Sequence, residues 1–408
     1  MTLIAVSGAI SADAAGRTSG NGADPAETFG GQAAFLKQHT QIVVLSDERG
    51  QAKIAIAPAW QGRVMTSTAE GDSGMSLGWI NVKHIASGKI VPHMNIVGGE
   101  ERFWLGPEGG QYSIFHGKGA GFAWENWQVP PALDSRPFEL VSHSRTQADF
   151  VAAFSLENYK GTKFQVEVKR QIRLLDAEMT WRYLNVLRSE HVMLVGYESK
   201  NILKNAGKQV WQKDDGVLSV WIAGMHPASK EAIFVVPLRA AMMNEVAEGV
   251  TSDYFGRLGE DRLKVTPEAV YFRVDAAYQS KIGVSPKRTL GKYGSYNPES
   301  NVLTITQFSQ PEGVTEYVKS LWRHQEDPYS GDAINSYNDG PAKPGEASFG
   351  PFYEMESSSP AAALEPGQTI EHMHRTIHLV GSRDELDKIA RAALGVSIDV
   401  NFGATAAH

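Results

Sequence analysis

The chain of 408 residues contains no cysteine. Disulfides, thiolate nucleophiles and zinc–thiolate sites are therefore excluded, and cysteine usage leaves the compartment open. Apolar runs approaching twenty residues are also missing, so no segment reads as a spanning helix and a membrane is not an expected partner. Acids and bases are interspersed around a formal net charge of −7, with no basic stripe. Phosphate backbones need such a stripe, so nucleic acid is not an expected partner, and a neutral or small polar ligand is favoured. Strands alternating with long helices are absent as well, which argues against a doubly wound parallel sheet.

What is present is the rhythm of a large all-β protein. Short β-branched or alternating runs recur at 42–45, 53–57, 63–67, 138–143, 149–156, 163–175, 179–187, 192–197, 217–223, 232–236, 270–274 and 301–308. Turn-forming stretches such as Asp47-Glu48-Arg49-Gly50 and Trp60-Gln61-Gly62 separate them. Helices are expected only at the periphery. One spans 27–39; the other follows Ser382, which forms a capping box with Glu385, and carries Leu386, Ile389, Ala390 and Ala393 at helical spacing. The expected organisation is one β domain over 26–400, preceded by a flexible segment over 1–25, of which 17–25 is rich in Gly, Ser, Asn and Asp. Within that segment Ala12-Asp13-Ala14 resembles the small-x-small site of a secretory signal, although no basic start precedes it. A signal remnant implies a periplasmic or secreted protein; a plain disordered head leaves a cytoplasmic one.

Two stretches carry the chemistry. In 352–356 apolar and acidic side chains alternate, so a strand there points Glu354 and Glu356 to one face. Pro360 and Leu364-Glu365-Pro366-Gly367 then turn the chain into a last strand with His372, His374 and His378 in phase, a hairpin by sequence. The second stretch, 97–127, is dense in glycine and sets Trp104, Trp124 and Trp127 around Glu101, Arg102, Glu108 and His116. Glycine permits tight turns and close backbone approach, and an indole face suits the C–H face of a sugar ring. A glycine-rich surface loop with its aromatics folded back on a sheet fits the same residues.

His116-Gly117-Lys118-Gly119-Ala120-Gly121-Phe122 with Trp124 and Trp127 resembles the His-Gly-Gly-x-x-Gly-Phe segment of aldose 1-epimerases, the galactose mutarotase-like superfamily. Gly98-Gly99-Glu100-Glu101-Arg102-Phe103 is similar to that family's glycine and arginine segment, and 352–379 to its closing strand, turn and last strand. Residues 56–64 are similar to its opening strands. The resemblance implies a β-supersandwich of antiparallel strands, no cofactor, and a mono- or oligosaccharide ligand. It implies Glu356 as catalytic base with Glu354 as second choice, His116 as acid or sugar ligand, and Arg102 near the ring oxygen. Trp104, Glu108, Trp124, Trp127 and Lys200 complete the expected binding set.

One departure from the family pattern is plain. Where the family carries a second histidine, this chain reads Gly196-Tyr197-Glu198-Ser199-Lys200-Asn201-Ile202-Leu203. Mutarotation needs one group to take the anomeric proton and another to protonate the ring oxygen, so His116 or Lys200 must supply the acid. Two other functions stay open: sugar binding without catalysis, and glycoside cleavage by Glu108 and Glu356 facing one another. His372 and His374 read as polar neighbours in preference to metal ligands, and the oxygen-rich loop 327–340 as a solvated loop before a calcium site.

Overall fold

The computed structural model describes residues 27–240, 248–343 and 345–402. The lead-in expected over 1–25 lies outside the described residues. The β-rich runs assemble into three sheets in which every strand pair is antiparallel. A ten-stranded sheet is built around Thr369–Val380, Met193–Asn205, Lys163–Leu174 and Gln147–Glu157. A six-stranded sheet runs in the order Val250–Thr251, Ser280–Val284, Ile334–Asn338, Phe352–Ser358, Ser219–Pro227, Arg102–Gly106. A small sheet of Val43–Ser46, Lys53–Ala57 and Arg63–Thr68 completes the set. The all-β supersandwich expected from the sequence is the fold observed, with its few helices peripheral.

The helices follow their local signals. Thr28 caps Phe29–His39 by accepting from the Gly31 amide, and Ser382 caps Arg383–Ala393 by accepting from the Glu385 amide. The second helix buries Leu386, Ile389, Ala390 and Ala393 against a core that includes Ile305, Ile377 and Leu379.

Two expectations are corrected. The stretch 179–187 is not a strand: Ala177–Leu184 is a helix, capped by Asp176, which accepts from the Met179 amide, and it buries Thr180, Trp181 and Leu184. The aspartate cap and the spacing of that buried set outweigh the β-favouring composition. Nor do 352–358 and 369–380 form a hairpin. Phe352–Ser358 pairs with Ser219–Pro227 and Ile334–Asn338, whereas Thr369–Val380 pairs with Val302–Phe308 and Met193–Asn205. The turn at 360–367 therefore carries the chain from one sheet to the other.

The space between the two large sheets is partly polar. Arg170 and Glu101 are fully buried and joined at 2.7 Å, with Asn201 accepting from Arg170 at 2.6 Å. Beside them Glu100 accepts from Ser67 and Tyr197 and meets His378 Nε2 at 2.5 Å. Gly98 and Gly99, both at positive φ, bring this acid pair in; a Cβ on Gly98 would stand 2.3 Å from the Trp79 carbonyl oxygen. Arg170 and Glu101 thus neutralise one another, as burial in low dielectric requires.

Candidate functional site

Strand alternation on the six-stranded sheet selects the residues of the site. Arg102 lies opposite Ala223, which lies opposite Glu356, so the three form one row across three strands. Trp104, Trp221 and Ser358 form the next row on the same face, and Glu354 shares that face two positions along its strand. Tyr353 and Met355 point the other way, into the core with Phe234, Ile282 and Tyr293. The alternation read from 352–356 holds, except that Phe352 shares the face of the acids and lines the cleft with Glu354. Ala223 contributes only a methyl between its neighbours, which leaves room for the long side chains beside it.

Over this face lies a cleft of about 390 Å³. Its polar lining is Arg102, Glu108, Gln279, Lys281 and Glu354. Aromatic rings supply most of the rest: Trp104, Trp127 and Trp221 buried in the wall, Trp322 partly buried, and Trp124 and Phe349 exposed farther out. Trp127 stacks between Trp124 at 5.1 Å and Trp322 at 5.9 Å, with interplanar angles of 19° and 22°. Few charged groups in a wall of apolar rings is the usual make-up of a small-molecule site.

Two ion-paired groups occupy the base of the cleft. Arg102 holds Glu354 at 2.9 Å and lies 3.7 Å over the Trp104 ring, with both ionic side chains buried. Burial is the largest influence on Glu354 and pushes its carboxyl up to about 7; Arg102 opposes the rise and the nearby Glu356 charge adds to it. Glu354 thus exchanges a proton near neutral pH.

Lys281 joins the other two acids, 3.2 Å from Glu356 and 4.0 Å from Glu108. Burial works to lower the lysine, but Glu356, Glu108 and Glu354 together outweigh it and hold the ammonium above its ordinary range. It is a fixed cation at neutral pH. Glu356 also accepts from the Trp221 indole N–H at 2.9 Å, and its second oxygen has no hydrogen-bond partner. Glu108 is raised by burial, against the pull of Lys281 and a hydrogen bond from Trp322.

The residues singled out by sequence divide into three groups. Arg102, Trp104, Glu108, Trp124, Trp127 and Glu354 line the cleft. Glu356 and His116 stand one layer behind it. The His116 ring meets Phe122 and Trp322 edge-on, each at 5.3 Å, Ser113 lies 3.1 Å from Nδ1, and Nε2 has no hydrogen-bond partner. Burial holds this imidazole below its ordinary range. Lys200 is outside the site altogether: it lies in the ten-stranded sheet and pairs with Glu371 at 2.8 Å, half-exposed. Its strand puts it on the face away from Ser199 and Asn201, which are buried.

Lys281, Trp221, Tyr254 and Trp322 went unread in the sequence. Lys281 sits in Ser280–Val284, a strand of five residues buried on both faces, so no apolar alternation marks it. His372 and His374 are buried polar neighbours that share the Ser357 hydroxyl at 2.8 Å each. Among the described residues no three His, Asp or Glu side chains are arranged to hold a metal ion, and no helix is long and apolar enough to cross a membrane.

Solved structures share this antiparallel β fold at low sequence identity. The Slr1438 protein of Synechocystis sp. PCC 6803 superimposes with a TM-score of 0.50 at 12% identity, over 84% of this chain and 96% of its own. A galactose mutarotase-like protein from Lactobacillus casei ATCC 334 gives 0.44 at 10% identity, over 83% and 100%. A galactose mutarotase related enzyme from Lactobacillus acidophilus gives 0.43 at 10% identity, over 83% and 97%. No curated protein matches the sequence. Residues 27–401 match the model described as a family of unknown function, DUF6786, and the chain belongs to that family.

Proposed function

We propose that this protein binds a sugar in the aromatic cleft and interconverts its anomers, with Glu354 and Glu108 as the proton-transfer pair. The observation that carries the reading is Glu354: a buried carboxyl in the cleft wall, held by Arg102 at 2.9 Å, which burial pushes up to about 7. A general base works best when its pKa lies near the working pH.

In this mechanism ionised Glu354 takes the proton of the anomeric hydroxyl, and the carbonyl forms as the bond between C1 and the ring oxygen breaks. Glu108, whose hold on its proton burial strengthens, delivers a proton to the ring oxygen, and the open-chain aldehyde results. Rotation about C1–C2 and the reverse transfers close the ring on the other face. Both carboxyls end in their starting states. Arg102 holds Glu354 in place throughout, and Lys281 supports the charge on Glu356 behind it.

The sequence reading put Glu356 first as base; Glu354 is preferred because it lines the cleft, while Glu356 is already paired with Lys281 and Trp221. Pairing by the same lysine also argues against Glu108 and Glu356 as a glycosidase pair, since Lys281 reaches both carboxylates. Optical rotation of freshly dissolved D-glucose, D-galactose and D-mannose tests the proposal. A rate of approach to equilibrium that is unchanged by the protein for every aldose sinks it. Binding of the same sugars without exchange supports the second reading, a carbohydrate-binding protein, which the setting of His116 behind the wall favours.

A further inference from the structure

Resting on the sugar reading above, we infer that the natural ligand is a glycan of at least two rings, with one ring on the Arg102–Glu354 base and the next on an aromatic shelf at the cleft mouth. The shelf is made by Trp124, Phe349 and Phe255, which are 40%, 39% and 46% exposed and come from three separate loops. All three line the same cleft as Glu354. Large apolar side chains exposed singly need no explanation, but three converging on one mouth, continuous with a buried polar base, mark a binding surface.

The shelf is held open by specific contacts. Trp124 stacks on His93 at 4.7 Å and on Trp127 at 5.1 Å. His93 is fixed in turn: its Nδ1 lies 2.6 Å from the Trp127 carbonyl oxygen, and its amide donates to Gln128. These contacts keep Trp124 from folding down over the cleft. Phe349 precedes Gly350, whose amide donates to Asp339 and where a Cβ would stand 2.2 Å from the Trp79 ring, so that loop packs against its base without slack. Phe255 rests edge-on against Tyr337 at 5.9 Å.

An aromatic surface fixed before binding loses little conformational freedom when a ring stacks on it. The charged groups stay at the base: Arg102 and Lys281 are committed to carboxylates there, and the shelf presents rings. A neutral second sugar, offering a C–H face to the rings and hydroxyls to solvent, fits that division.

The experiment is calorimetry on the full chain with D-glucose, D-galactose and D-mannose and with maltose, cellobiose, lactose and mannobiose. At least one disaccharide is expected to bind about 10-fold tighter than its monosaccharide, as two stacking contacts of ordinary strength give. In Trp124→Ala and in Phe349→Ala, both exposed positions, that ratio is expected to fall toward one. Equal affinity for monosaccharide and disaccharide in the unmutated protein overturns the inference while leaving the sugar reading intact. A 4-nitrophenyl glycoside that gains more than any disaccharide also overturns it, because the shelf then takes an apolar aglycone. If no sugar of either size binds, the sugar reading itself fails and this inference goes with it.

Discussion

Arg102 and Glu354 are separated by 252 residues in the sequence and by 2.9 Å in space. The pair exists only because the strand Ser219–Pro227 lies between theirs and sets both on one face. Since the guanidinium and the carboxylate are both buried, removing either leaves the other without its partner in low dielectric.

Glu354→Gln keeps the shape of that contact and removes the proton. Anomer interconversion is expected to fall by roughly 10²-fold or more, the usual worth of a positioned base. In the unmutated protein the rate should show a limb that rises with pH, with a midpoint near the 7 set by burial. That rising limb should vanish in the variant. Polarimetry across pH 5 to 9 checks both, and a limb that survives in Glu354→Gln assigns the base elsewhere.

The same titration has a stability consequence of opposite sign. Because the folded Glu354 binds its proton more tightly than the unfolded chain, its contribution is fully present below the unfolded value of 4.5 and is lost as pH rises through about 7. Above that range Glu354→Gln removes a buried charge but leaves Arg102 unpaired, so only the pH slope between about 5 and 7 is diagnostic. The change in denaturant midpoint from pH 5 to pH 7 should be more positive in the variant than in the unmutated protein.

Lys281→Met strands Glu356, which is 1% exposed. A loss of about 3–5 kcal/mol is expected, the ordinary cost of breaking one side of a buried pair. The double variant Lys281→Met with Glu356→Gln should recover part of it, because the stranded charge is gone. Urea unfolding of the two singles and the double gives the coupling directly, and full additivity would remove Lys281 as the partner of Glu356.

His372 and His374 make the protein sensitive to mild acid. Burial, with the other histidine's charge in one case and Arg170 in the other, brings each imidazole down to about 3. The unfolded chain takes up protons at 6.5, so their stabilising contribution is present above that value and is lost as pH falls toward 3. The expected slope is on the order of 1.4 kcal/mol per pH unit for each imidazole. Thermal midpoints at pH 7.5, 6 and 5 check it; a midpoint independent of pH in this range removes the claim.

Phosphorylated sugars should bind poorly. Arg102 and Lys281 are both committed to carboxylates, so among the described lining residues no unpaired cation is left to receive a phosphate. Glucose 6-phosphate and galactose 6-phosphate should therefore bind at least about 10-fold more weakly than the parent sugars. Calorimetry at low ionic strength checks this, where charge interactions are least screened.

The amino-acid pattern was enough for the fold class, because short alternating runs without long helices leave few alternatives to packed antiparallel sheets. It also marked Arg102, Glu108 and Glu354 and the tryptophans of 97–127, because acids, glycines and indoles crowded together are unusual for a core. Tertiary structure decided the rest. Four of the six strands of the sheet beneath the cleft, Val250–Thr251, Arg102–Gly106, Ser280–Val284 and Ile334–Asn338, were not read as strands: all are short, Arg102–Gly106 and Ser280–Val284 are buried on both faces, and Ile334–Asn338 sets Ser336 and Asn338 on its buried face, so apolar alternation is missing. Choosing Glu354 over Glu356, moving Lys200 out of the site and bringing Lys281 in all depend on which strands lie side by side. That order is set by pairing between residues far apart in the chain, for which no local pattern exists.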